Sequence, residues 1–349
     1  MSLRHNMFED HERPERMSHP RIAVASLGGT ITMTSTRSDG AGVRPTLTAD
    51  DLLAAIPGLA DIAELTPATL ITAPGASLTF TDVLAGLEWA REQVRHGAVG
   101  AVLIQGTDTI EETAYLLDLY WDSPAPLVVT GAMRAPQSAG ADGPANLLAA
   151  VQVASADASR DRGVLVVLND TVHAAERVRK TQASGPDAFA SASFGPLGYL
   201  DERQVLYGSA PGSRRALVRP TPFAMPAVAL IEAVLGDSGE MLRAVGAASF
   251  DGVVLAGFGV GHVPSSTVET IEALAHTMPV VLASRTGSRG THRASYGFSG
   301  SESDLIARGV IPSGWLDARK ARILLACLLA ARTPKAEIRA EFDHRARPA

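Results

Sequence analysis

Short, continuously apolar runs alternate with longer segments of helical periodicity along most of the chain. Each apolar run ends in small or polar residues, as in RIAVASLGGT at 21–30. Runs of this kind are typical of strands buried on both faces of a parallel sheet. The intervening segments have the apolar spacing of amphipathic helices. The alternation predicts a right-handed, doubly wound α/β sheet. The strands are predicted at 21–30, 68–75, 98–109, 125–133 and 163–171, and the helices at 49–56, 81–95, 110–121 and 142–156.

A segment dense in Pro, Gly and Arg, 209–226, interrupts this pattern and predicts a linker. After it, apolar runs at 227–234, 251–259 and 278–284 predict a second series of strands, with a helix at 266–277 and a closing helix at 317–332. We therefore expect an α/β protein with a larger N-terminal doubly wound domain and a smaller, Rossmann-like α/β domain. The predicted boundaries are a disordered extension at 1–20, the N-terminal domain at 21–208 and the C-terminal domain at 227–349.

Charge and composition exclude several partners. The formal net charge of −6 argues against nucleic acid, whose binding surfaces are basic. The single cysteine, Cys327, rules out a disulfide within the chain and lies in an apolar run typical of a packed core. No apolar run approaches the length of a membrane span, and the charged N-terminal residues lack the apolar region of a secretory signal. The sequence predicts a cytoplasmic protein that binds no membrane.

The sequence predicts neither a metal ion nor an organic cofactor. The nine histidines lack HExxH or similar ligand spacing, so surface or hydrogen-bonding roles are predicted for His173, His262 and His292. No G-x-S-x-G nucleophile motif occurs. The glycine-rich 257–262 (GFGVGH) follows a predicted strand, but its spacing does not match the dinucleotide fingerprint G-x-G-x-x-G.

Four residues near predicted strand ends could form a catalytic site. Thr30 ends the first strand, Thr107 and Asp108 end another, and Lys180 lies just beyond the strand at 163–171. Parallel strand ends lie along one edge of a sheet, where open α/β sheets bind their ligands. A threonine hydroxyl needs a base, and a desolvated lysine can serve as one. The glycines at 28–29 would let backbone N–H groups approach a developing oxyanion. The set suits hydrolysis of an amide or ester, with Asp108 alternatively recognising a cationic substrate group.

Simpler structural roles remain open for the same residues. In GTDT-IEET, Thr109 with Glu112, or Asp108 with Glu111, fits a helix-capping box. Both roles can coexist if Thr109 and the glutamates begin the helix while Thr107 and Asp108 face a site. The residues alone also allow Lys180 on the surface and Thr30 in a tight turn.

Several motifs resemble those of the bacterial L-asparaginase family. They are SLGGTITM, IQGTDTIEETAYLLDL, VVTGAMRAPQSAGADGPANLLAAV and the segment GVLVVLNDT…KTQASG…GPLGYL, and the similarity extends from residue 21 to KARILLACLLA. The resemblance implies asparagine hydrolysis, with Thr30 as the nucleophile that forms an acyl-enzyme. It also implies that Thr107, Lys180 and Asp108 form a second group, in which the threonine activates or positions water and the aspartate holds the substrate's α-amino group. A homotetramer built from dimers, with sites near the subunit interface, is implied as well.

The chain departs from the family pattern in the substrate pocket. The loop after the GGT motif contains no tyrosine, and the first tyrosine of the chain is Tyr115. The family's Ser-Gln pair aligns best with Ser77 and Leu78, and the asparagine after the glycine-rich strand end aligns with His262. Because Leu78 lacks the amide, we predict weak glutaminase activity beside asparagine hydrolysis. The alternatives are a glutaminase or other small-amide hydrolase, an amidotransferase subunit, and a non-catalytic amino-acid-binding homologue.

Overall fold

The computed structural model describes residues 19–35, 43–287 and 289–345. Almost all of the predicted N-terminal extension, 1–20, lies outside the described residues. The N-terminal part is built around an eight-stranded sheet of order β12-β11-β8-β7-β6-β5-β1-β4. Its strands are β1 Arg21–Gly28, β4 Glu64–Ala73, β5 Gly100–Ile104, β6 Leu127–Thr130, β7 Val164–Leu168, β8 Thr171–Ala174, β11 Gly198–Asp201 and β12 Gln204–Tyr207. Two short antiparallel pairs accompany it: β2 Met33–Ser35 with β3 Val43–Pro45, and β9 Arg179–Lys180 with β10 Phe189–Ala190.

The sheet confirms the five predicted strands but is mixed rather than wholly parallel. Strands β4, β1, β5, β6 and β7 run parallel, whereas β8, β11 and β12 each run antiparallel to their neighbours. The three antiparallel strands are four residues long, too short for a periodic signal in the sequence. The prediction of burial on both faces is wrong for β4, an edge strand whose residues are exposed or partly exposed along its whole length.

Helices cover both faces of this sheet, as doubly wound topology requires. Side chains of α2 and α3 pack in one apolar cluster and those of α1 and α4 in another, and the two clusters lie on opposite faces. The helices are α1 Ala49–Ala54, α2 Phe80–Arg95, α3 Ile110–Tyr120 and α4 Gly143–Ser155. Pro144 lies in the first turn of α4, where its missing N–H has no intrahelical partner.

A four-stranded parallel sheet of order β13-β14-β15-β16 forms the C-terminal part. The fold class is therefore confirmed: a larger N-terminal α/β sheet with a smaller C-terminal one. The exact domain boundaries stay a prediction. The remaining elements are β13 Val228–Glu232, α5 Glu240–Ala247, β14 Gly252–Gly257, α6 Val268–Thr277, β15 Val280–Ser284, α7 Glu302–Ala307, β16 Ile311–Pro312, α8 Ala318–Ala330 and α9 Lys335–Arg345.

The closing segment of the chain holds two helices rather than one, and α8 links the two sheets. One apolar cluster contains side chains of α3 and of the N-terminal sheet together with α8, α9 and residues of β14 and β15. Cys327 is buried in α8, as predicted, and burial raises the pKa of its thiol to about 12. Helix α8 thus packs against both halves of the molecule. No helix among the described residues is long and apolar enough to cross a membrane.

Candidate active site

Three glycines bring the turns after β1, β4 and β5 into backbone contact. A Cβ on Gly29 would lie 2.1 Å from the nitrogen of Gly106, and one on Gly75 would lie 2.8 Å from the Gly106 oxygen. Gly29 also has a φ of 91°, which side chains rarely adopt. Only glycine therefore lets these turns approach so closely. Consequently the GGT turn, the PGAS turn and the GTDT turn form one surface at the carboxyl edge of the sheet.

That the glycines before Thr30 let backbone N–H groups approach an oxyanion stays a prediction, but their own N–H groups are bonded within the protein. The Gly28 N–H donates to Ser26 Oγ at 3.1 Å, and the Gly29 N–H donates to Ala73 O at 3.0 Å. Both groups are used to hold the turn. Thr30 then begins a 3₁₀ turn and is half-buried, and its hydroxyl has no hydrogen-bond partner within 19–35, 43–287 and 289–345.

Lys180 meets the second threonine of the predicted set. Its Nζ donates to Thr107 Oγ1 at 2.9 Å and to Asp108 Oδ1 at 3.2 Å. Thr107 is buried, whereas the Asp108 side chain is 59% exposed and open to a ligand. Lys180 lies not at the end of β7 but in β9, whose pairing places it opposite Phe189 of β10. The structure thus brings Thr107, Asp108 and Lys180 together beside the turn that carries Thr30.

The predicted capping box at the start of α3 is absent. Neither Asp108 nor Thr109 caps the helix; instead Thr109 Oγ1 donates to Gly75 O at 3.1 Å and ties the GTDT turn to the PGAS turn. Glu111 is buried and accepts hydrogen bonds from the Lys180 N–H and from Arg319. These tertiary contacts replace the local ones.

Ser77 and Leu78 follow β4, and their side chains have different surroundings. Ser77 is exposed at the end of the 3₁₀ turn Gly75–Ser77. Leu78 lines a pocket of about 350 Å³ between α2, α3 and α8. Glu112 and Arg322 also line this pocket, and burial raises the pKa of Glu112, with repulsion from Glu111 adding to the effect.

Two domain models of one known protein family match this chain, one over the N-terminal part and one over the C-terminal part. Residues 21–211 match the family model "Asparaginase, N-terminal", and residues 227–342 match "Glutaminase/Asparaginase C-terminal domain". The chain belongs to the L-asparaginase family.

Individual asparaginases are similar to this chain over most of its length. A "Probable L-asparaginase" from Deinococcus radiodurans is 36% identical over 331 residues, covering 93% of this chain and 98% of that protein. A "Probable L-asparaginase periplasmic" from Haemophilus influenzae is 34% identical over 313 residues, covering 88% of this chain and 87% of that protein. Among solved structures, a probable cytoplasmic L-asparaginase from Campylobacter jejuni has a TM-score of 0.81 and 28% identity, covering 93% of this chain and 99% of that one.

Two positions at which the sequence departs from the asparaginase pattern, the missing loop tyrosine and His262, can be described in the structure. Tyr115 is buried within α3, so it does not replace the loop tyrosine; part of that loop, 36–42, lies outside the described residues. His262 lies in a tight reverse turn closed by hydrogen bonds between its backbone and that of Phe258. Its Nε2 lies 3.2 Å from Glu302, and its ring packs edge-on against Tyr296 and Phe298.

The other two histidines named in the sequence differ in burial. His173 is buried and its Nδ1 lies 3.0 Å from Ser191 Oγ, so of the two predicted alternatives, a surface or a hydrogen-bonding role, it has the hydrogen-bonding one. His292 is exposed and contacts Ser295. Neither histidine is hydrogen-bonded to Thr30, Thr107 or Lys180.

Sequence reasoning missed the contacts of Glu111 in this asparaginase fold. Its partners Lys180 and Arg319 lie 69 and 208 positions away along the chain. An acidic residue in the first turn of a helix has a sufficient local explanation in the helix dipole. No pattern near Glu111 therefore signalled a link to the site.

Proposed function

We propose that the protein is an L-asparaginase that hydrolyses L-asparagine to L-aspartate and ammonia. The observation that carries the proposal is the contact of Lys180 with Thr107 and Asp108, beside the GGT turn, in a chain of the asparaginase family. Its relatives' names point to the same reaction. The active residues we propose are Thr30, Thr107, Asp108 and Lys180, with Ser77 in substrate binding.

In the first half-reaction Thr30 attacks the side-chain amide carbon of asparagine. Its oxygen forms a bond to that carbon, its proton passes to the amide nitrogen, and the carbon–nitrogen bond breaks, which releases ammonia and yields an acyl-enzyme. The hydroxyl makes no hydrogen bond to a described residue, so it is available to the substrate. Lys180 is not bonded to Thr30 in the structure, and we assign it to the second half-reaction.

In the second half-reaction water attacks the acyl-enzyme and releases aspartate. Lys180 accepts the proton that Thr107 passes on from the attacking water, so the two residues act as one base, and the proton then returns to the Thr30 oxygen as its bond to the acyl carbon breaks. The hydrogen bond of 2.9 Å between Lys180 Nζ and Thr107 Oγ1 has the geometry for that transfer. The burial of Thr107 keeps the hydroxyl in one position.

Substrate selection follows from the charged and polar groups around the two threonines. The exposed carboxylate of Asp108 suits the α-ammonium of asparagine, and Ser77 offers a hydroxyl to the other end. Leu78 faces the pocket between α2, α3 and α8 and carries no amide with which to anchor a longer substrate. We therefore expect asparagine to be preferred over glutamine.

Ammonia release from purified protein tests the proposal. We expect Thr30→Ala to lose all but about a thousandth of the parent rate, and Lys180→Met to lower kcat at least ~10²-fold. Thr30→Ser keeps the hydroxyl and should retain part of the activity. Lys335→Met, on α9, is the matched control and should behave as the parent.

Four results would contradict these assignments. A folded Thr30→Ala variant that hydrolyses asparagine at the parent rate removes Thr30 as nucleophile. An unchanged rate in Lys180→Met does the same for Lys180. Glutamine hydrolysed as fast as asparagine would overturn the substrate preference and favour the glutaminase alternative. A parent without any amide hydrolysis would favour an amino-acid-binding homologue.

We also propose a cytoplasmic homotetramer built from dimers. The Campylobacter jejuni neighbour is titled cytoplasmic, while the Haemophilus influenzae relative is named periplasmic. Cell fractionation with periplasmic and cytoplasmic marker enzymes decides the compartment. Light scattering on the purified protein measures the assembly, and a mass other than about four chains would contradict the tetramer.

A further inference from the structure

We infer that Glu111 and Arg319 are positioning residues for Lys180, so that helix α8, which follows the C-terminal sheet, controls the geometry of the site at the N-terminal sheet. The inference rests on the proposed function, because it gives Lys180 a catalytic role. Nothing in the roles proposed above requires Glu111 or the start of α8.

Glu111 joins α8 to the backbone of the proposed catalytic lysine. One carboxylate oxygen, Oε2, accepts the Lys180 N–H at 2.8 Å, and the other, Oε1, accepts Arg319 Nη1 at 3.0 Å. The Glu111 side chain is only 6% exposed. A buried carboxylate is costly unless its oxygens are paired, so the arrangement is held by both partners at once.

Lys320, also at the start of α8, binds the backbone two residues before Lys180. Its ammonium is fully buried and donates to Val178 O and to Asp317 Oδ2, the latter at 3.1 Å. Burial opposes the charge of Asp317, but attraction to Lys320 and its backbone N–H lower the pKa of that carboxyl below the ordinary value. The start of α8 thus reaches both Val178, directly, and Lys180, through Glu111.

The strand that carries Lys180 has little support of its own. Strand β9 contains two residues, and its partner β10 is equally short. Lys180 Nζ must nevertheless stay within hydrogen-bond distance of Thr107 for proton transfer. A shift of about 1 Å at a reacting group can lower a rate ~10²-fold. The contacts from α8 and Glu111 prevent such a shift.

Kinetics of Glu111→Gln, with Glu269→Gln as matched control, tests the inference. Glu269 is an exposed glutamate in the first turn of α6, and it has no hydrogen bond or ion pair to a described residue. We expect Glu111→Gln to lower kcat for asparagine about tenfold or more and to change KM less than about twofold. Glu269→Gln should match the parent. Arg319→Met, at a side chain that is 44% exposed, removes the link to α8 without touching α3 and should lower kcat in the same direction.

A double-mutant cycle separates positioning from general structural support. If Glu111 acts through Lys180, then adding Glu111→Gln to Lys180→Met should change kcat by less than about twofold. Effects that multiply, or an unchanged kcat in both Glu111→Gln and Arg319→Met, would overturn the inference while the asparaginase function stands. An inactive parent protein would overturn the proposed function and this inference together, and it is recognised before any variant is made.

Discussion

Single residues decide how the site is assembled. The backbones of Gly29, Gly75 and Gly106 are in contact, and a side chain at any of the three would prevent that contact. Because they are glycines, the three turns that carry the reactive and binding residues can lie side by side. Glu111 lies in the first turn of a helix yet bonds to residues far along the chain. For the three glycines and for Glu111 alike, a tertiary contact explains why that residue type occupies the position.

His173 makes the stability of the protein depend on pH. It is buried in β8, and burial lowers its pKa from 6.5 to about 4. Between these two values the unfolded chain binds a proton that the folded protein does not, so stability is lost as pH falls from about 6.5 to about 4. The loss is on the order of 3 kcal/mol at the lower end.

Urea unfolding of the parent and His173→Gln at pH 7.5 and pH 4.5 checks this dependence. The parent should lose more free energy of unfolding between the two pH values than the variant does, because only the parent carries the titrating ring. His276→Gln, at an exposed position on α6, is the matched control. Equal losses in parent and His173→Gln would contradict the prediction.

The first turns of α1 and α2 are capped by side chains, whereas that of α3 is not. In α1 and α2 a threonine and an aspartate three residues later form complete capping boxes, Thr48 with Asp51 and Thr79 with Asp82. Thr109 at the start of α3 belongs to a similar sequence pattern, yet its hydroxyl is bonded to Gly75 O. Local pattern therefore determines a cap only where no tertiary partner competes for the side chain.

Removing the cap of α2 should measurably destabilise the protein. Thr79 Oγ1 accepts the Asp82 N–H, and Asp82 in turn accepts the Thr79 N–H at 2.8 Å. We expect Thr79→Ala to lower the free energy of unfolding by about 1 kcal/mol. The measurement is urea unfolding, with Thr81→Ala, at an exposed position in the same first turn, as control. If both variants were equally stable, the cap would contribute nothing.

At the scale of the whole molecule, α8 makes the two sheets share a core. Leu324 and Leu325 of α8 are fully buried in the cluster that also contains Leu116 of α3 and Val254 of β14. Separating the two parts would expose this apolar surface to water, which is unfavourable in proportion to its area. The two parts should therefore lose their structure together.

Thermal unfolding followed by two probes tests that coupling. Buried Trp121 reports on the N-terminal part through its fluorescence, and far-UV circular dichroism reports on all helices and strands. Coincident transitions at a single midpoint are expected. Two resolved transitions would show that the domains unfold independently. Trp89→Phe and Trp315→Phe, introduced together, leave Trp121 as the reporting tryptophan.

Hydrophobic periodicity determined most of the elements of the fold, because element type depends on residues close together in the chain. The five parallel strands and the helices α1 to α4 were all predicted, as were β13, β14, β15 and α6. The short strands β8, β11 and β12 were not predicted, since pairing across the sheet, and not local pattern, holds four residues extended.

The sequence alone also determined which residues could carry the chemistry, because strand ends of a parallel sheet meet at one edge and the motifs resemble those of a known family. The resemblance also implied that Lys180 lies with Thr107 and Asp108, as their hydrogen bonds show. Only the tertiary structure decided the other partners. It bonded the Gly28 and Gly29 N–H groups within the turn, and it replaced the predicted cap at Thr109 with a hydrogen bond to Gly75 O. A hydrogen bond is made with whichever partner the folded chain brings within about 3 Å, and sequence separation places no limit on which residue that is.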